Sequence, residues 1–156
     1  MCIVVDINTL APVFSEGCVR NPDFFAIKEW INAGKGFLVY GGTKYKKELG
    51  KKRYLRLIRQ MKDAGRAVPI RDDVVDSMEA TLLTKTKGMK CDDQHIIALL
   101  GASWCPLFCS ADSRSFDYIK DRSLFPSKMP QVRKYTSARN ADLLKTTSRD
   151  MLRNSA

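Results

Sequence analysis

The chain opens with Cys2-Ile3-Val4-Val5-Asp6-Ile7-Asn8, in which a short apolar run ends at an acidic residue. The run is rich in β-branched residues and has no polar alternation, which is typical of a strand buried on both faces of a parallel sheet. Phe37 to Tyr40 and Cys105 to Ser110 are two further compact runs of this kind. Between the runs, apolar residues recur at helical spacing, as in 24–31 and 54–61. Strands that alternate with helices predict an α/β fold, a three-layer α/β/α sandwich around a central, mostly parallel sheet.

The remaining segments complete the predicted order of elements. Ala67 to Ile70 predicts a short edge strand, because proline is tolerated only at such positions. Helices are predicted over 72–83 and 113–120. The helical stretch 43–61 is expected to kink or divide at Gly50, because glycine weakens a helix interior.

Composition divides the chain into two unequal parts. The chain has 156 residues, 44% of them apolar and 28% charged, which fits one core of ordinary size. We expect residues 1–126 to form that domain. Residues 127–156 hold seven Lys or Arg against two Asp, show no obvious core, and are expected to be a basic C-terminal extension with helical character over 141–152.

Nothing in the sequence predicts association with a membrane. The longest apolar runs are a few residues, far short of the ~20 that span a bilayer. No secretory signal precedes the first strand, and the five cysteines are an odd number without C-x-x-C spacing, which favours reduced thiols. We therefore expect a cytoplasmic protein.

The charge of the chain indicates a polyanionic partner. There are 27 Lys and Arg against 17 Asp and Glu, a formal net charge of +10. Ten of the basic residues lie within 44–66, which holds only two acidic ones. A solvated helix face can also be basic, but this density exceeds what solubility requires and favours contact with a phosphate backbone.

Several acidic residues are predicted to meet at the sheet edge formed by the carboxyl ends of the strands. Asp6 and Asp112 closely follow predicted strands, and Glu48 falls in the first turns of a helix entered from another. Asp92 and Asp93 begin a helix at the same edge. Converging carboxylates repel one another unless a cation lies between them, and hard oxygen ligands suit Mg²⁺ or Mn²⁺. Singly, each acid could instead be a helix cap, a turn former or a partner of lysine; we assign Asp93 to the site and Asp92 to the helix cap, and the reverse assignment stays open.

Four segments together resemble the PIN-domain ribonuclease family. Asp6-Ile7-Asn8-Thr9 resembles its first acidic motif, and the segment 41–49 resembles the one that carries its glutamate. Asp92 to Leu99 resembles the third motif, and Phe108 to Asp112 resembles the strand that ends in Thr/Ser-x-Asp. Each motif alone is weak, but the four occur in the family's order and cover the chain up to about Phe125.

The resemblance implies a metal-dependent ribonuclease and assigns roles to residues at the matching positions. Its implied catalytic residues, which would bind one or two Mg²⁺ or Mn²⁺ ions, are Asp6, Glu48, Asp93 and Asp112. The side chains expected to support these ligands are Asn8, Ser110 and Asp92. RNA is the implied substrate, and the cations expected to hold it are Lys44, Lys46, Lys47, Lys51, Lys52, Arg53 and Arg56. Tyr45 could stack on a base or belong to the core, and His95 is expected to be structural rather than a general base.

Other functions remain open at this level. A PIN-like module that binds RNA without cutting it would carry the same motifs. A haloacid-dehalogenase-like phosphatase also begins with an aspartate after an apolar strand, but it needs a second carboxylate where this chain has Asn8. The resemblance is also compatible with the toxin of a toxin–antitoxin pair, which would add a protein antitoxin as a partner, and with a homodimer.

Overall fold

A computed structural model describes residues 1–145 and contains one five-stranded sheet in which all strand pairs are parallel. The strands lie in the order β3-β2-β1-β4-β5. Their bounds are β1 Cys2–Val5, β2 Phe37–Gly41, β3 Ala67–Ile70, β4 Leu107–Cys109 and β5 Arg133–Tyr135. Helices flank this central sheet, so the predicted α/β fold with a three-layer arrangement is confirmed.

Seven α-helices accompany the sheet within residues 1–145. They are α1 Leu10–Phe14, α2 Asn21–Asn32, α3 Thr43–Lys51, α4 Leu55–Asp63, α5 Asp72–Lys85, α6 Gln94–Ser103 and α7 Phe116–Lys120. Short 3₁₀ segments occupy Ile7–Thr9, Ser113–Ser115, Arg122–Leu124 and Ala138–Leu144. None of the helices in this part of the chain combines the length and the apolar character that a membrane crossing needs.

The helical stretch 43–61 divides, but not at Gly50. Gly50 lies inside α3, and the break follows it, with Arg53 in the left-handed region at φ 61°. The backbone N–H of Tyr54 donates to the Leu49 carbonyl at 3.0 Å and that of Arg53 to the Gly50 carbonyl at 3.1 Å. These two bonds are the Schellman pattern that closes a helix end, and here an arginine occupies the position that glycine usually takes.

The sheet continues past residue 126, so the predicted boundary there is wrong for residues 127–145. Strand β5 pairs with β4 and carries Tyr135, which is fully buried. The Tyr135 ring lies 6.0 Å from that of Phe24 on α2, and its hydroxyl donates to the Asp23 carbonyl at 3.2 Å. Residues 146–156, with the greater part of the helix predicted over 141–152, lie outside the described residues.

Replacing Tyr135 tests whether this segment belongs to the core. Tyr135→Ala should lower the free energy of unfolding by about 4 kcal/mol, because it leaves a cavity between β5 and α2. Tyr135→Phe keeps the ring and loses one hydrogen bond, so it should cost only about 1 kcal/mol. Denaturant unfolding followed by circular dichroism measures both, and equal stability of Tyr135→Ala and the wild type would contradict the assignment.

Candidate metal centre

The topology of the sheet creates a crevice between β1 and β4. From β1 the chain moves outward through β2 to β3, and it then returns to the other side of β1 for β4 and β5. Ligands of open α/β sheets bind at such a reversal, outside the carboxyl ends of the strands. Asp6 directly follows β1 and Asp112 lies just beyond β4, and the Asp6 N–H donates to the Cys109 carbonyl at 2.9 Å.

Two helices bring further acidic residues to this crevice. Helix α3 is fixed to the sheet by Tyr45, which is fully buried and donates its hydroxyl to the Val5 carbonyl at 2.6 Å. Tyr45 therefore belongs to the core and has no face free for stacking on a base. One turn further along α3 lies Glu48, and Asp92 and Asp93 precede α6.

These elements enclose a cavity of about 410 Å³. We call it the acidic cavity; its lining consists of Asp6, Ile7, Asn8, Lys44, Glu48, Lys51, Lys52, Asp92, Asp93, His95, Asp112 and Arg114. All four acids predicted to be catalytic are in this set. The structure thus brings together side chains that lie up to 106 positions apart in the sequence.

The carboxylate of Asp6 is held in place at the base of the cavity. The Ser110 hydroxyl donates to its Oδ2 at 2.9 Å, and Ser110 itself is fully buried. Burial raises the pKa of Asp6; the hydrogen bonds from Ser110 and from the Asn8 backbone lower it in part, and the charges of Asp112 and Glu48 raise it further. Ser110 thus positions the Asp6 carboxylate, whereas the Asn8 side chain makes no hydrogen bond to it within residues 1–145.

Among the acids of the acidic cavity, Asp93 has the pKa that is raised to the highest value. Burial raises its pKa to about 6, and the charges of Asp6, Asp92 and Asp112 add to the shift. Asp93 is also the residue at the N-cap position of α6, but its side chain makes no capping hydrogen bond. The assignment of the cap to Asp92 is therefore wrong, and the Asp93 carboxylate is left to the cavity.

Asp112 is held by a residue that the sequence analysis missed. Arg114 Nη2 lies 2.6 Å from Asp112 Oδ2, and its Nε lies 2.9 Å from the same oxygen. These bonds lower the pKa of Asp112. An arginine two residues after an acid at a strand end is the only sequence signal for this pairing.

Glu48 contacts a buried histidine at the cavity wall. His95 Nε2 lies 3.3 Å from Glu48 Oε2. Burial lowers the pKa of His95 to about 4, helped by the charge of Lys44, so the ring is neutral at neutral pH and the contact is not an ion pair. The Nδ1 atom is buried without a hydrogen-bond partner in the described part of the chain, so His95 is not fully satisfied, and its structural role stays a prediction.

The donor chemistry of the cavity suits a divalent cation, although its side chains are not gathered around one point. Mg²⁺ or Mn²⁺ neutralises such oxygen ligands, and the pKa values of Asp6 and Asp93 are raised first by burial and further by the charges of the neighbouring acids. Within residues 1–145, however, no three His, Cys, Asp or Glu side chains stand in an arrangement ready to hold an ion. Asp112 faces Arg114 and Glu48 faces His95, so both would have to turn inward.

The cations predicted to bind RNA separate into three groups. Lys44, Lys51 and Lys52 line the acidic cavity. Lys47 lines an adjoining hollow of about 490 Å³, which shares Lys44, Glu48 and Lys51 with the acidic cavity. The others lie elsewhere: Lys46 projects from another face of α3, and Arg53 and Arg56 line neither of these two spaces.

The acids of the cavity predict different effects of two Asp→Asn substitutions on the free energy of unfolding. The raised pKa of Asp93 means that folding favours its protonated form; this stability is present below pH ~4 and is lost as the pH rises through about 6. Asp93→Asn should therefore raise the unfolding free energy at neutral pH in EDTA by about 1 kcal/mol, or ~3 °C in Tm, after allowance for its partial exposure.

Asp112→Asn is the matched control, because the pKa of Asp112 is lowered rather than raised. It should give no gain at neutral pH, since it removes a charge that Arg114 already compensates. Thermal unfolding at about pH 4 and at neutral pH measures both effects, and the advantage of Asp93→Asn should vanish at the lower pH. An equal response of the two variants would contradict the electrostatic description of the cavity.

Comparison of this chain with models of protein families, with curated proteins and with solved structures finds no match. Function is therefore inferred from the acidic cavity at the reversal of the sheet and from its basic rim, formed by Lys44, Lys51 and Lys52.

Proposed function

We propose that this protein is a metal-dependent ribonuclease, similar to those of the PIN-domain family, which hydrolyses RNA phosphodiester bonds at the acidic cavity. The observation that carries the proposal is the convergence of Asp6, Glu48, Asp93 and Asp112 on one cavity of a chain with a net charge of +10. Acids inside a basic surface weaken the binding of a polyanion unless a cation offsets them. Phosphodiester hydrolysis with Mg²⁺ or Mn²⁺ uses both features.

The rim of the cavity supports a phosphate-containing polymer as the substrate. Lys44, Lys51 and Lys52 line the α3 side of the cavity and are exposed, so a strand crossing the cavity would meet cations on that side. Such contacts act on the backbone and carry no sequence information. RNA is chosen over other polyanions because of the resemblance in the four motifs.

A bound Mg²⁺ or Mn²⁺ would activate water for attack on phosphorus and offset charge on the phosphoryl oxygens. The protein's own part is to place the ligands and the strand. Asp6 would be the ligand with a fixed orientation, because Ser110 donates a hydrogen bond to it while further lone pairs of the carboxylate stay available. Asp112 would be a further ligand, and the guanidinium of Arg114, which binds Asp112 and also lines the cavity, would be placed to contact a phosphate oxygen of the strand.

One observation favours a second function, a PIN-like module that binds RNA without cutting it. The carboxylates of Asp112 and Glu48 already have protein partners, and residues 1–145 contain no ready metal-binding group. A module of this kind needs the basic rim but not the ion. The roles as a toxin with an antitoxin partner and as a homodimer, and residence in the cytoplasm, stay predictions.

Cleavage of labelled single-stranded and structured RNAs in Mg²⁺, Mn²⁺ or EDTA tests the proposal. Wild-type protein should cut only with a divalent cation, and Asp6→Asn and Asp93→Asn should each reduce the rate about 100-fold or more while keeping the fold. Asp117→Asn is the control, because Asp117 is exposed on α7 and does not line the cavity. Undiminished RNA binding without cleavage in any metal would favour the module instead.

The basic rim predicts a separate effect on substrate binding. Lys51→Gln combined with Lys52→Gln should raise KM several-fold at low salt and leave kcat nearly unchanged. In this proposal the two cations contact the phosphate backbone of the RNA away from the phosphate that reacts. The dependence of log KM on log salt should become shallower in the double variant. A fall in kcat with constant KM would place these lysines in the reaction itself and contradict this assignment.

A further inference from the structure

A second cavity, of about 560 Å³, lies at the carboxyl ends of β2 and β3. It shares no lining residue with the acidic cavity. The two are separated by α3, since Lys46 lines this cavity whereas Lys44, Glu48 and Lys51, on another face of the helix, line the acidic one. We call it the basic pocket, because four of its lining residues are cations: Lys46, Arg59, Lys62 and Arg71.

Two of these cations are already paired within the protein. Lys46 Nζ lies 2.8 Å from Asp72 Oδ2, and Arg71 Nη2 lies 2.6 Å from Asp73 Oδ2. The Asp72 carboxylate also accepts the Gly42 N–H at 3.0 Å, so it is fully engaged in closing the turn between β2 and α3. These groups build the pocket wall and offer little to a ligand.

Three donors in the pocket have no such partner among residues 1–145. They are the guanidinium of Arg59, the ammonium of Lys62 and the hydroxyl of Tyr40. Arg59 and Lys62 are one helical turn apart on α4, so both project from the same face. Burial raises the pKa of Tyr40, with nearby Lys46 and Arg59 opposing the shift, so its hydroxyl keeps its proton at neutral pH.

The other lining residues of the basic pocket suit a ligand that carries an apolar or hydrogen-bonding group beside its phosphate. Leu55, Pro69 and Ile70 form an apolar side, against which a sugar or a base can pack. Asp63 adds a carboxylate without a protein partner in the described residues. A carboxylate repels a free phosphate ion, but it accepts hydrogen bonds from a ribose hydroxyl or a base amino group.

We propose that the basic pocket binds one nucleotide of the RNA strand outside the point of cleavage, with its phosphate on Arg59 and Lys62 and its nucleoside against Leu55, Pro69 and Ile70. This inference rests on the proposed function in one respect, that the ligand of the acidic cavity is RNA. The size of the pocket lies in the range of about 300–1,000 Å³ that small-ligand sites occupy. A free mononucleotide has the same chemistry and is distinguished by experiment.

Binding without cleavage tests the inference independently of catalysis. Fluorescence anisotropy of a labelled single-stranded RNA of about twelve nucleotides is measured in EDTA at low salt. Arg59→Gln combined with Lys62→Gln should weaken binding about tenfold. The control is Lys35→Gln combined with Lys128→Gln, which removes the same charge from exposed residues that line neither cavity and should weaken binding no more than about twofold.

Two further measurements separate the possible outcomes. Tyr40→Phe, which keeps the buried ring, should weaken RNA binding about twofold through the lost hydroxyl. In ¹⁵N NMR spectra, RNA should shift the backbone amides of Gly41, Ile70 and Arg71, and saturating uridine monophosphate should shift them much less. Shifts with the mononucleotide but not with RNA would contradict binding of an RNA strand in this pocket. Equal weakening of RNA binding by the two double variants would show that only net charge matters, and it would contradict a binding site in the pocket.

The binding measurements on the basic pocket and the cleavage assay decide between different proposals. If no metal supports cleavage but RNA affinity depends on Arg59 and Lys62 beyond the control, the nuclease proposal fails and the pocket stands. If cleavage is metal-dependent but the two double variants behave alike, the pocket fails and the nuclease stands.

Discussion

The hydrogen bond from the Tyr45 hydroxyl to the Val5 carbonyl sets the geometry on which the candidate site depends. It joins α3 to the last residue of β1, one position before Asp6, in surroundings from which water is excluded. Burial raises the pKa of Tyr45, so the hydroxyl remains a donor throughout the ordinary pH range. Because Glu48 follows Tyr45 by three residues on the same helix, this bond holds the part of α3 that carries Glu48 against the end of β1, next to Asp6.

Two pairs of carboxylates in this protein differ in how the protein compensates their charge. Asp72 and Asp76 accept the N–H groups of Gly42 and Thr43 at the start of α3, at 3.0 Å and 2.9 Å, and so stabilise the turn that aims the helix. Asp6 and Asp93, at the crevice, have raised pKa values and little compensation from the protein. Acids such as Asp72, which stabilise a turn, need no ligand for their charge. Neighbouring acids that are partly buried and poorly compensated are typical of sites that bind a cation.

Much of the fold could be predicted because its strands are apolar on both faces. Runs such as Cys2–Val5 and Phe37–Gly41 have no other stable place than the middle of a parallel sheet. Strand β5 could not be predicted in the same way, since Arg133–Tyr135 has one buried residue after two that are not and lies at an edge. Within this strand, only the aromatic side chain of Tyr135 indicated burial, and it packs against α2.

The candidate site could be predicted from the sequence only in part. Strand ends and helix starts predicted which acids share an edge, because parallel topology fixes that edge. Which side chain contacts a partner depends on local turns: Asp112 binds Arg114, and Lys46 pairs with Asp72 rather than lining the acidic cavity. Residue spacing does not encode these choices.

Pro69 in β3 has a consequence for how two copies of the chain can meet. Strand β3 is the outermost strand next to β2, and proline has no N–H with which to continue a ladder. Addition of a foreign strand at this border would lack a bond in the centre of a four-residue element. The β3 edge is thus a poor place for a second copy of the chain to extend the sheet.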